Sequence, residues 1–281
     1  MELVELVFVL VLGLAIGSFL NVVILRLPKG ISVKRPRSHC PHCKKLVSWY
    51  DNVPVVSYFV LRGRCRHCEK KISPRYPSIE ALSGVVSVFL YFKFGIGIEW
   101  AIYFAFCAAL IVLAFIDLDH RILPDQITLN GIWIGVLVSV YFAQPSPLVT
   151  RLFHAANVEV SNQRLIALIA SILGAGVGGG LLWFVGEGYL RLRGIEGMGF
   201  GDVKMMAMVG AFLGAPLALL TIMLGSLVGS IIGLIFIRMT DKAREYELPF
   251  GTFLGLMGII SVLYGDDLVR WYMEHLIRRV A

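Results

Sequence analysis

Long apolar runs dominate the chain and are interrupted by one polar stretch of about fifty residues. Roughly 20 apolar residues cross the hydrocarbon core of a bilayer. On that rule the pattern predicts eight helical spans, at about 4–26, 79–97, 100–117, 126–143, 164–188, 203–219, 220–238 and 250–265. The first run, Leu6 to Leu25, is too long for a signal-peptide core and lacks a positive flank and a cleavage site, so it reads as a retained span. The separators are short except for Pro28 to Ser78, whose Pro, Arg, Lys and Cys content predicts a small domain of its own. The expected architecture is an all-α polytopic membrane protein. It comprises a first transmembrane helix (1–27), a polar insert (28–78) and a helical core (79–281).

Composition agrees with the pattern and excludes a soluble domain: 57% of the 281 residues are hydrophobic and 16% charged, with mean hydropathy +0.78. The net charge of +7 bears first on orientation, because Lys and Arg collect in cytoplasmic loops. With the insert in the cytoplasm, alternation of the spans places 20 of the 26 cations inside and leaves only Lys93, Arg151, Arg164, Arg270, Arg278 and Arg279 outside. Orientation thus accounts for the basic balance, and no nucleic-acid partner is expected. The glycines of GAGVGGG and GSLVGSIIG, in the fifth and seventh spans, suit close helix packing in a medium that supplies no hydrophobic drive.

Four of the five cysteines form two C-x-x-C pairs, Cys40/Cys43 and Cys65/Cys68, separated by 21 residues inside the insert. Two such knuckles give four thiolates to one tetrahedral ion, as in structural zinc sites. About fifty residues have little core of their own, so zinc–sulfur bonds would supply the missing folding free energy. A cytoplasmic setting argues against disulfides. His39, His42 and His67 flank the cysteines and read as solvated or supporting; Cys107, alone in the third span, reads as a small buried apolar residue.

FIDLDHRILPD closes the third span with Asp117, Asp119 and Asp125, and GMGFGDVK opens the sixth with Asp202. Two spans therefore present a carboxylate at one membrane depth, where ionisable groups are functional by default. Facing carboxylates share one proton, the requirement of an aspartyl protease in which one acid activates water and the other protonates the leaving group. Gly197, Gly199 and Gly201 allow close backbone approach, as by an extended peptide. Asp125, after Pro124, reads as a helix cap, and Asp119 points to another face than Asp117. Lys204 steadies a carboxylate or substrate charge, or snorkels; Glu80 favours its helix dipole or recognises a cationic substrate group. The competing reading, an ion- or proton-coupled transporter, predicts acids near the midplane and an internal repeat. Neither is visible.

GSFLNVVILRLP, CPHC with CRHC, DNVPVVSYFVLRGRC, ISPRYPSIE, FIDLDHRILPD and GMGFGDVK together resemble, in order, the motifs of bacterial type IV prepilin peptidases. The resemblance spans about residues 13–258. It implies a polytopic inner-membrane GxGD aspartyl protease that removes a short basic leader from prepilins, or from pseudopilins of type II secretion, at the cytoplasmic face. It also implies N-methylation of the new N-terminal residue from S-adenosylmethionine. It places the catalytic pair on Asp117 and Asp202 and the zinc element on Cys40, Cys43, Cys65 and Cys68. One departure is PFGTFL, where Thr252 stands in place of an expected proline, at a position expected to lie away from the acid pair. No glycine-rich nucleotide-binding turn is visible for the methyl donor.

Overall fold

The computed structural model describes residues 2–35, 37–142, 162–194, 197–239 and 248–280. Arg151, Lys242 and Arg244 of the charge count lie outside these residues. Two compact units divide the chain, Met1–Ile116 and Asp117–Ala281.

In the first unit, α1 (Glu2–Arg26) lies against α3 (Arg75–Phe94). Small residues set that approach: a Cβ on Gly13 would lie 2.9 Å from the Gly84 Cα, and one on Gly17 2.7 Å from the Glu80 Cα. Ser83 and Ser87 donate hydroxyl hydrogens across the gap to the Gly13 and Val9 carbonyls at 2.8 and 2.7 Å. Such bonds and close contacts join helices where lipid gives no reason to exclude apolar surface. Between the two helices lies the insert, which holds a short helix α2 (Val56–Val60). Its two knuckles repeat one local fold. The Cys40 and Cys65 N–H groups bond the Lys45 and Lys70 carbonyls, and Lys44 and Glu69, at positive φ, donate back to the Cys40 and Cys65 carbonyls, all at 2.9 Å. Helix α4 (Ile98–His120) begins in this unit and carries its last turn into the second.

The second unit contains α5 (Asp125–Phe142), α6 (Gln163–Arg193), α7 (Phe200–Met239) and α8 (Phe250–Val280). The GAGVGGG glycines bring α6 into backbone contact with α7. A Cβ on Gly174 would strike the Gly210 carbonyl, and one on Gly179 would lie 3.0 Å from the Val203 carbonyl. Gly225 and Gly229 of GSLVGSIIG meet Leu254 and Phe253 of α8 in the same manner. Helix α7 is broken at Gly214, whose φ of 78° and ψ of 170° are not helical. A Cβ on Gly178 would meet both the Met206 carbonyl and the Ala218 Cβ, residues that a straight helix keeps about 18 Å apart. The two halves of α7 therefore fold back beside each other. The first half, ending at Leu213, rises only about 21 Å, less than a hydrocarbon core of about 30 Å.

Among the described residues, six helices are long and apolar enough to cross a membrane: α1, α3, α4, α6, α7 and α8. The expected count of eight differs for two reasons. The spans at 203–219 and 220–238 are the two arms of one element, turning at Gly214, six residues before the expected boundary. Helix α5, the expected span at 126–143, is described as far as Phe142 and is not among the six.

Candidate active site and metal centre

Asp117 sits in the last turn of α4, with the carboxyl buried. Its Oδ2 accepts the Thr252 N–H at 2.7 Å and the Thr252 hydroxyl at 3.1 Å. Helix α8 begins at Phe250, so that N–H is one of the first-turn donors with no partner inside the helix. A carboxylate there satisfies the donor and meets the positive end of the helix dipole. Asp202 lies in the first turn of α7, also buried, with its N–H on the Gly199 carbonyl at 3.1 Å. Among the described residues, Asp202 Oδ1 has no hydrogen-bond partner.

Gly251 brings the two acids together. A Cβ built on it would lie 2.8 Å from Asp202 Oδ1, 3.0 Å from Leu123 Cδ1 and 3.1 Å from Asp117 Cγ. Both carboxyl groups thus border one position, within about 6 Å of each other, close enough for like charges to compete for a proton. Gly199 lies 3.8 Å, by the same construction, from Asp202 Oδ2, and Gly201 2.9 Å from Leu123 Cβ. Any side chain at Gly201 would displace the loop after α4.

Thr252, expected to lie away from the acid pair, is in fact bonded to Asp117. Gly251 was not recognised in the sequence at all. Asp125 stands at the start of α5, and its oxygens accept from Lys204 Nζ at 2.7 and 2.9 Å. Lys204, 5.1 Å over the Phe200 ring, therefore engages Asp125 and not a buried acid. Asp119 is exposed. Glu80, in the first unit, accepts the Val55 N–H at 2.7 Å.

The four insert cysteines are free thiols whose sulfurs all lie within 4.8 Å of one another, with Cys40 and Cys68 Sγ at 3.8 Å. Tetrahedral zinc with Zn–S bonds of about 2.3 Å requires sulfurs about 3.8 Å apart. The donor set fits that ion. Burial opposes ionisation of Cys40, but the backbone N–H groups of Cys43 and His42, with the neighbouring Cys65 and Cys43 thiols, outweigh it and bring this thiol down to about 6. At Cys68 the Lys70 N–H is outweighed by burial and the neighbouring thiols, which push it up to about 11. No histidine belongs to the cluster among the described residues.

Residues 11–94 match the family described as bacterial peptidase A24 N-terminal domain, and residues 104–234 match the type IV leader peptidase family. The chain is similar to the prepilin leader peptidase/N-methyltransferase of Legionella pneumophila, 36% identical over 94% of this chain and 92% of the relative. Relatives of the same description from Stutzerimonas stutzeri and Pseudomonas aeruginosa are 32% and 33% identical, each over 94% of this chain and 92% of the relative. No solved structure matches the chain. The multiple apolar spans and the matches together define a polytopic membrane peptidase. The chain belongs to the type IV leader peptidase family.

Proposed function

We propose that the chain is an inner-membrane aspartyl endopeptidase that removes the basic leader of type IV prepilins or type II secretion pseudopilins, with Asp117 and Asp202 as its catalytic pair. The carrying observation is the convergence of two buried carboxyl groups, from helix ends far apart in sequence, on the single position that Gly251 keeps open. Asp117, steadied by two Thr252 donors, is the general base that takes a proton from water. The water oxygen bonds the scissile carbonyl carbon, and Asp202 gives its proton to the departing nitrogen as the C–N bond breaks. The leader leaves with a new carboxylate and the mature protein with a new amine. The cations between spans favour a cytoplasmic position for the insert and the acids, and there the acids attract a basic leader. The domain organisation that accompanies this reading is a first span (1–27), a zinc-binding insert (28–78) and a protease core (79–281). Gly199 and Gly201 give the peptide backbone access to Asp202. No observation favours a transporter.

In the insert, Cys40, Cys43, Cys65 and Cys68 hold one structural zinc ion, and no reaction step depends on it. Kinship adds N-methylation of the new amine, with S-adenosylmethionine as donor. A cavity of about 410 Å³ in the first unit contains Trp49 and Asn52 beside Arg26, Lys34 and Arg37. Its three cations suit a carboxylate but repel a sulfonium, so this cavity does not fit the donor.

The reading is tested with the detergent-solubilised chain and a synthetic prepilin, by mass spectrometry of the product's N-terminus. Leader loss is expected, with the mass of a methyl group added when S-adenosylmethionine is supplied. An intact leader would overturn the reading. Gly251→Ala is expected to lower kcat about 100-fold, since a displacement of about 1 Å at reacting groups costs that much. Its thermal midpoint should fall modestly, because the added methyl crowds Asp202, Leu123 and Asp117 in a buried site. By contrast, Lys204→Met removes only a half-exposed ion pair and should change cleavage less than about fivefold. A loss comparable to that of Gly251→Ala would place Lys204 in the catalytic machinery.

A further inference from the structure

The cavity that fails to suit S-adenosylmethionine has a divided chemistry. One wall is a single face of α1, where Ala15, Phe19 and Val22 lead to Arg26 at the helix end. Their spacing of three to four residues lines them up over about 16 Å of helix. The opposite wall comes from the insert and adds Lys34, Arg37 and Trp49. The cleft thus carries the apolar side chains of Ala15, Phe19 and Val22, with Ser18 among them, along a helix suited to crossing a membrane and is cationic at that helix's end. Arg26 gives one N–H to the Ser32 carbonyl at 3.1 Å, and among the described residues none of the three cations has an acid partner.

The insert turns apolar side chains outward: Trp49, which lines the cleft, is 78% exposed, and Phe59 and Val60, in α2, are 71% and 69% exposed. The segment carrying them is held in a strained form. Val55 has φ 62° and ψ −51°, and the Val56 N–H bonds the Pro54 carbonyl at 2.6 Å, a γ-turn of the hand that β-branched residues avoid. Two ties hold it. Glu80 Oε2, from the apolar helix α3, accepts the Val55 N–H at 2.7 Å. Arg66 clasps both Asp51 oxygens and holds that carboxyl below the usual range, joining the Trp49 turn to the second zinc knuckle. Strain of this kind persists where surrounding structure enforces it, and here it fixes an exposed aromatic and apolar surface beside the end of α1.

We infer that this face of the insert rests in the bilayer interface and that the cleft takes an anionic phospholipid, with an acyl chain along Ala15, Phe19 and Val22 and its phosphate among Arg26, Lys34 and Arg37. Tryptophan is enriched at headgroup level, and basic pockets beside membrane helices bind anionic headgroups. A basic leader would be repelled by the three cations. A free phosphate would leave the apolar wall uncovered. The lipid covers both parts and ties the zinc insert to the membrane.

The test uses the full-length chain in neutral detergent, with equal phosphatidylglycerol and phosphatidylcholine, followed by native mass spectrometry. Phosphatidylglycerol should be retained about 100-fold over phosphatidylcholine, at about fivefold per cation. The triple variant Arg26→Gln, Lys34→Gln, Arg37→Gln should lose that preference while keeping its bound zinc. Glycerol phosphate at millimolar concentration should not displace the lipid. In vesicles, the fluorescence difference between wild type and Trp49→Phe should be quenched more by brominated phosphatidylglycerol than by brominated phosphatidylcholine. Equal retention of both lipids by wild type, undiminished preference in a zinc-loaded triple variant, or displacement by glycerol phosphate would each overturn the inference. Should the triple variant lose zinc, the wild-type lipid comparison and the Trp49 quenching still decide it.

Discussion

Asp117→Asn and Asp202→Asn are each expected to lower kcat for leader removal by about 10³-fold, within the range attributed to a positioned acid or base. Asparagine keeps the size of the side chain and, at 117, an oxygen that can still accept the Thr252 N–H, so substrate KM and thermal stability should stay close to wild type. The double variant should be no worse than either single one, because two acids that serve one proton circuit fail together. The same cleavage assay, run at saturating substrate, checks all three. Full activity in either single variant would remove that carboxyl group from the mechanism.

The second large effect concerns the insert. Among its described residues only Cys40, Ser57 and Gly63 are buried between positions 28 and 78, so almost no apolar core opposes unfolding. Structural zinc contributes an apparent binding free energy of about 10 kcal/mol or more to such domains. One zinc per chain is therefore expected by metal analysis. Chelation, or Cys40→Ser with Cys65→Ser, should expose the segment between Arg35 and Lys71 to trypsin, while helices α6 and α7 remain resistant. Unchanged proteolysis after complete metal removal would show that the insert holds itself together by other means.

Much of this structure was legible in the sequence because its causes are local. Each apolar run is long enough to name a helix, and both cysteine pairs carry their spacing within four residues, so neither needs the tertiary fold to be recognised. Asp117 and Asp202 were legible because an acid at the end of an apolar run is costly wherever it points. The turn at Gly214 was legible only in part: the expected boundary between the two spans fell at 219–220, although Gly214 with Pro216 in LGAPLALL is a helix-breaking pair that marks the break closer to its place. Gly251 and Thr252 escaped for a different reason: their role comes from where α8 meets the end of α4, which no periodicity reports. A signal did exist. Pro249 marks a helix start, a helix start leaves first-turn N–H groups unpartnered, and a buried acid is a natural acceptor. Asp125 was legible as the start of α5, but its partner, Lys204, lay far along the chain.

The central claim is that Asp117 and Asp202 act together on the tetrahedral species formed when water adds to the scissile carbonyl. The measurement that reaches it most directly is binding of a leader peptide whose scissile carbonyl is replaced by a hydroxyl-bearing tetrahedral carbon, titrated against the solubilised chain and against both Asn variants. The account predicts that wild type binds this peptide at least about 100-fold more tightly than the matching substrate peptide, and that Asp117→Asn and Asp202→Asn bind the two alike. Equal affinity of wild type for both peptides, or a preference that survives in the Asn variants, would contradict it.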